Sequence, residues 1–147
     1  MTRSEVTAAI VAARLLPVLR VADAHEAQAS TERVIEAGLR VVELTATTRG
    51  WEAAVRAVRD DWPGAVLGVG TLRSGEDAKR AVDAGADFLV TPWPAPDVRV
   101  VADAEGALLV DGGFTPAEVA AAVGVGSDLV AGGDVAARVR AALEAVA

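Results

Sequence analysis

The sequence predicts a single α/β domain over residues 1–147, built as a parallel (β/α) barrel of TIM type truncated to about six strands. Three observations lead there. Strand-like apolar runs alternate with helical patterns at intervals of roughly 20 to 25 residues, the rhythm of βαβ units around a parallel sheet. The runs are continuously apolar rather than alternating, as expected where both faces of a strand are covered. The segments EAGLRVVELT, DAGADFLVTP and GVGSDLVAGG also repeat one local design: helix end, glycine, strand, polar strand end. An open doubly wound sheet fits less well, because no Gly-x-Gly-x-x-Gly fingerprint follows the first strand. A full barrel has eight strands and about 200 residues at minimum, so this chain is short by two units.

Each element follows from local chemistry. An amphipathic helix over 4–15 leads into a first strand over 16–21. Asp23 with Glu26 forms an N-cap and capping-box pair that starts a helix to Ala37, stopped by Gly38. The second strand begins at Leu39 and is broken by Gly50. Trp51, Ala54, Val55, Val58 and Trp62 then make the stripe of a helix ended by Pro63 and Gly64. A third strand over 65–70 precedes a helix capped by Ser74 and Asp77 and stopped by Gly85. A fourth strand covers 86–90, a short helix 97–103 and a fifth strand 107–110. Thr115-Pro116-Ala117-Glu118 combines an N-cap, a proline in the first turn and a capping-box glutamate. A sixth strand over 127–131 and a helix over 135–146 complete the pattern.

Composition narrows the function. The chain is 52% hydrophobic but only 3% aromatic, so its core is made of small aliphatic pieces. A net charge of −7 argues against nucleic-acid binding, which needs a basic face. Cysteine is absent, which removes disulfide and thiolate chemistry. The opening helix is too short and polar-flanked for a signal or membrane segment, and a cytoplasmic protein with no membrane partner is expected. Lys79 is the only lysine and His25 the only histidine. Neither a second lysine nor a histidine pair is on offer, the carboxylates show no metal-ligand spacing, and no metal or cofactor is predicted.

The stretch around which the chain is arranged is LRVVELTATTR, residues 39–49. Its first half, Leu39–Val42, reads as a buried strand, and a carboxylate, Glu43, follows directly after it. An unpaired buried carboxylate costs several kcal/mol or shifts its pKa upward, so Glu43 either faces a polar cleft or has a dedicated partner. Two readings stand side by side: a catalytic acid/base, or a charge retained because Arg20 or Arg49 pairs with it. Thr45, Thr47, Thr48 and Arg49 have the donors to hold a carboxylate or phosphate. Threonine is also simply favoured in strands, and that reading is ahead. The pairs Gly112-Gly113 and Gly132-Gly133 look like phosphate-binding strand-end loops, though glycine at such turns is more often backbone geometry. Trp93, between two prolines, belongs to the barrel mouth or a subunit contact; His25, beside a helix cap, is expected in solvent.

The runs LPVLRV, EAGLRVVELTATT, GVGTL, AGADFLVTPWPAPDV and VDGGFTPAEVAAAVGVGSDLV, in this order, resemble the 2-keto-3-deoxy-6-phosphogluconate / 4-hydroxy-2-oxoglutarate aldolase family over roughly residues 10–131. The resemblance implies a (β/α)8 barrel that makes or breaks a 2-keto acid bond with pyruvate. It implies a lysine Schiff base on the sixth strand, a glutamate at the end of the second strand as proton shuttle, and trimeric assembly. Glu43 matches the proton shuttle. Thr71, Thr91 and Pro92 match strand-end residues lining the pyruvate pocket, and Thr115 lies on the rim of the same mouth; Arg20, Thr45, Thr47 and Arg49 complete the candidate substrate-binding set. The sequence departs from the pattern in two places. Ala131 stands where the lysine is expected, and Thr47 stands where an arginine is expected, with Arg49 two places further on. The shortening admits two alignments: the last two strands lost, or a middle pair deleted. The Thr-Pro-Ala-Glu segment favours the first, the terminal helix the second, and the first is preferred.

The sequence therefore points to an aldolase-family, lyase-like protein that acts on or binds a small 2-keto acid or its phosphorylated sugar-acid relative. Glu43 is its candidate proton shuttle, and no Schiff base forms at the family position. The alternative is a catalytically inactive barrel relative serving as a small-ligand-binding or assembly subunit. Because an incomplete barrel exposes strand edges, a homo-oligomer is predicted, trimer or dimer, in which a partner chain covers the open sheet.

Overall fold

The computed structural model describes residues 1–113. The sixth strand, the closing helix, the Thr115 helix start, Ala131 and Gly132-Gly133 lie outside the described residues. Within them the elements run α1 (Arg3–Ala13), β1 (Val18–Leu19), α2 (Ala24–Glu36), β2 (Val41–Thr45), α3 (Trp51–Asp61), β3 (Val66–Gly70), α4 (Gly75–Ala84), β4 (Phe88–Thr91), α5 (Pro96–Glu105) and β5 (Leu108–Asp111). All strand pairs are parallel and the spatial order is β1-β2-β3-β4-β5. Each crossover moves the chain one strand further in the same direction, as in a TIM-type barrel. A doubly wound sheet would reverse at a switch point. The described sheet is an open arc, with β1 and β5 as its edges.

The two faces of the sheet carry different cores. Val42, Leu44, Leu67, Val69 and Leu89 point outward and pack with Ala27, Ile35, Val55, Val58, Ala81 and Val98 of the helix layer. The first inward residues, Val41, Val66, Phe88 and Leu108, meet Val6 of α1, with Ala9, Ile10 and Ala13 alongside. Helix α1 thus plugs the end of the arc where the strands begin. Its docking is fixed at the far side by Arg3, which donates to the Ala102 carbonyl at 2.8 Å and to Asp103 at 3.0 Å. That leaves the opposite end, where the strands finish, as the open mouth.

Most expected boundaries hold to within a residue or two. Asp23 and Ser74 accept from the backbone N–H groups of Glu26 and Asp77 and cap α2 and α4. Two differences have clear causes. Helix α1 starts earlier than expected because Thr2 and Glu5 form a full capping box. The first strand, expected over 16–21, pairs regularly only at Val18 and Leu19. Beyond Leu19 threonine hydroxyls replace the ladder: Thr45 Oγ1 donates to the Leu19 carbonyl at 3.3 Å, and Thr48 Oγ1 accepts from Val21 N at 3.5 Å.

Candidate active site at the strand ends

The alternation of β2 decides where its carboxylate goes. Val42 and Leu44 face the helix layer, so Val41, Glu43 and Thr45 face the interior of the arc. Glu43 is 6% exposed. Its carboxylate leans over β3 at Gly70, where a Cβ would sit 1.8 Å from Oε1 and 2.6 Å from Cδ. One inward position earlier, a Cβ on Gly68 would sit 2.1 Å from the ring of Phe88, which reaches across from β4. Neither glycine has a positive φ, so what these positions require is room, not backbone freedom.

Glu43 receives no hydrogen bond from any described residue. Burial pushes its pKa up, and the positive charge of Arg20 acts in the opposite direction. Arg20 follows β1 on the same face as Val18, which is in register with Glu43, and it is exposed to solvent. A buried carboxylate held closer to neutrality than usual, with one cation near it and water on the mouth side, has the properties of a proton-transfer group.

The remaining candidates divide between mouth and scaffold. Thr71, directly after Gly70, has φ +61, a left-handed conformation that a β-branched residue adopts only when its surroundings impose it. Thr45 is fully buried, bonded to Leu19 O and within 3.0 Å and 3.4 Å of the hydroxyls of Thr47 and Thr48. This cluster stitches β2 to β1, and only the Thr47 hydroxyl is at the surface. Thr91 does not converge with Glu43. Its hydroxyl donates to Asp111 at 2.9 Å on the helix side, where Arg99 also holds Asp111. Pro92 is half-buried, with its backbone packed so closely against Gly112 that a Cβ there would come within 2.6 Å. The first of the Gly-Gly pairs is therefore explained by backbone contact. Arg49 lies on the surface, 82% exposed, 3.5 Å from Asp23, and does not pair with Glu43. His25 is exposed at the start of α2, as expected.

The sequence model of the family described as KDPG and KHG aldolase matches residues 6–131. The chain belongs to this aldolase family. A 2-dehydro-3-deoxy-phosphogluconate aldolase of Zymomonas mobilis is 32% identical over 116 residues, 79% of this chain and 55% of that protein. The solved 2-keto-3-deoxy-6-phosphogluconate aldolase of Zymomonas mobilis ZM4 with 3-phosphoglycerate superimposes with a TM-score of 0.74 at 29% identity, over 85% of this chain and 59% of that one. A cube-shaped cage designed by fusing symmetric oligomeric domains matches with a TM-score of 0.69 at 28% identity, over 76% of this chain and 42% of that one. The chain thus spans about half the length of the curated aldolase it matches.

Against the family pattern, the place of the lone lysine matters most. Lys79 lies on α4 in the outer layer, where Asp83 and Glu105 pair with it and raise its pKa. It belongs to the helix surface and not to the aldolase mouth. A groove of about 310 Å³ between α3 and α4, lined by Glu52, Arg56, Arg80 and Asp83, also lies on the outside. Its Arg80 is already engaged by Glu52 and Asp77 and stacks on Trp51. Among the described residues no helix is long and apolar enough to cross a membrane. Sequence reasoning missed Gly68, Gly70 and Phe88 as parts of the site. The available signal was two glycines at strand spacing, which marks a close approach of another group.

Proposed function

We propose that this aldolase-family chain binds a small 2-keto acid, or its phosphorylated sugar-acid relative, at the mouth of the arc, and that Glu43 moves a proton on the carbon beside the keto group. The observation that carries the reading is a carboxylate on the inward face of β2, midway along Val41–Thr45, 6% exposed and without a hydrogen-bond partner among the described residues. In its ionised form Glu43 takes the proton and the substrate becomes an enol or enolate. In its neutral form it returns the proton. Arg20 supplies positive charge for the substrate carboxylate, and Thr71, with Thr47, lines the rim. Thr115 joins them on the sequence pattern. The amine route of the family is closed here, since Ala131 occupies the lysine position in the sequence and Lys79 lies in the outer layer.

Trapping with pyruvate and borohydride is expected to give no adduct; an adduct on Lys79 would overturn this reading of the site. In a thermal-shift panel of keto acids and phosphorylated sugar acids, at least one ligand is expected to raise the melting temperature. Glu43→Gln should change that shift without unfolding the protein. A second reading, a binding or assembly subunit that turns nothing over, is favoured by the same missing lysine. It predicts the ligand shift without proton exchange, or a tight oligomer with no ligand shift at all. We further propose a homo-oligomer, trimer or dimer, that covers the open sheet. Val18 on β1 and Val110 on β5 are 52% and 38% exposed at the two edges, and the similar cage is built from symmetric oligomeric domains. A stable monomer in light scattering would remove that proposal.

A further inference from the structure

Beyond Val66, the interior of the arc at β3 is not lined by side chains of β3 itself. Its inward positions after Val66 are Gly68 and Gly70, and each is filled by a neighbour: Gly68 by the Phe88 ring from β4, Gly70 by the Glu43 carboxylate from β2. Glu43 is directly opposite Gly68 in register, yet its carboxylate has moved one inward position toward the mouth, to Gly70. The reason is steric. Phe88, 0% exposed, already occupies the place over Gly68. The aromatic ring and the carboxylate therefore take adjacent niches on one strand, the ring deeper and the carboxylate nearer the mouth.

We infer that Gly70 is the positioning residue of the site, the absent side chain that lets the Glu43 carboxylate lie flat on β3, out of water, instead of standing up into the mouth. A single methyl at position 70 overlaps both the carboxylate oxygen and its carbon, so the carboxylate must leave. Three things point to room as the only demand. The φ of Gly70 is not positive, no hydrogen bond or ion pair from the described residues ties the carboxylate in place, and the atoms displaced are the far end of a flexible side chain. Lifted from its niche, the carboxylate is rehydrated and ionises like an ordinary glutamate.

The inference rests on Glu43 being the proton-transfer group only for its catalytic meaning, and its test is independent of turnover. Glutamate labelled with ¹³C at the carboxyl carbon, with the Glu43 resonance assigned by its loss in Glu43→Gln, gives the titration of that group directly. In Gly70→Ala the midpoint should fall toward the ordinary carboxylate range, and in wild type it should stand above it. The same midpoint in both proteins overturns the inference. Gly70→Ala should also lower the melting temperature, and Glu43→Ala in the same chain should restore much of that loss by vacating the niche. That second readout holds even if Gly70→Ala is too unstable to titrate, and failure of the double variant to recover refutes the positioning role. If the titration moves as expected while Glu43→Gln leaves keto-acid proton exchange untouched, the proposed function fails and the positioning stands.

Discussion

Two strand ends of one sheet handle a buried carboxylate in opposite ways. At the β4–β5 end, the Asp111 side chain is 8% exposed and fully engaged, with Thr91 donating to one oxygen and Arg99 held by the other. At the β2–β3 end, Glu43 is also buried, and among the described residues the charge acting on it is that of exposed Arg20. The first is scaffold: its charge is compensated by groups that also tie α5 to β5. The second has no donor among the described residues, which costs stability and fits the proposed role in proton transfer. The two carboxylates differ in whether the described part of the fold supplies them with donors.

The contrast can be broken most directly at its satisfied end. Asp111→Ala leaves Arg99 without its acceptor in a half-buried setting and should cost about 3 kcal/mol, measured as a shift in the urea midpoint. Its effect on keto-acid binding should be no more than the loss of folded protein explains. At the unsatisfied end the expected sign reverses with pH. The folded-state pKa of Glu43 is raised, so its contribution to stability is full below the unfolded-state pKa and is lost as pH rises through the folded value. Glu43→Gln should therefore gain on wild type as pH rises from the acid range to neutrality, and melting curves across that range check the slope. A constant difference would contradict the raised pKa of Glu43.

Two smaller effects sharpen the picture. Thr71→Gly relieves left-handed strain of about 1–2 kcal/mol but adds unfolded-chain entropy worth about 0.5–1 kcal/mol. A net gain under ~1 kcal/mol is expected, together with weaker ligand shifts if the hydroxyl serves the rim. Arg49→Ala removes one exposed pair with Asp23 and should change stability by less than about 0.5 kcal/mol and leave keto-acid binding unchanged. A marked loss of binding would return Arg49 to the site.

Strand–helix alternation and the caps at Asp23 and Ser74 were legible from local pattern, because each depends on residues close in the chain; Glu43 was expected at the end of the second strand, but β2 runs on through Leu44 and Thr45 and leaves it in mid-strand. The fate of the threonines was not. Thr45 and Thr91 carry the same hydroxyl at the ends of β2 and β4, yet one binds Leu19 O and the other Asp111. Only register and the face of the strand decide between them. Arg49 illustrates the same limit: two positions along a turn were enough to send it to the α2 cap instead of the mouth. The niche at Gly70 depends on three strands at once, with Phe88 displacing Glu43 by one position, and no local pattern contains that.

The central claim is that Glu43 transfers a proton to and from a keto acid. Incubating the protein with pyruvate in deuterium oxide and following loss of the methyl signal by NMR measures that transfer without requiring bond cleavage. Wild type should accelerate the exchange over buffer, with Gly70→Ala slower and Glu43→Gln at the background rate. Exchange at the wild-type rate in Glu43→Gln, or no acceleration by wild type, would contradict the account.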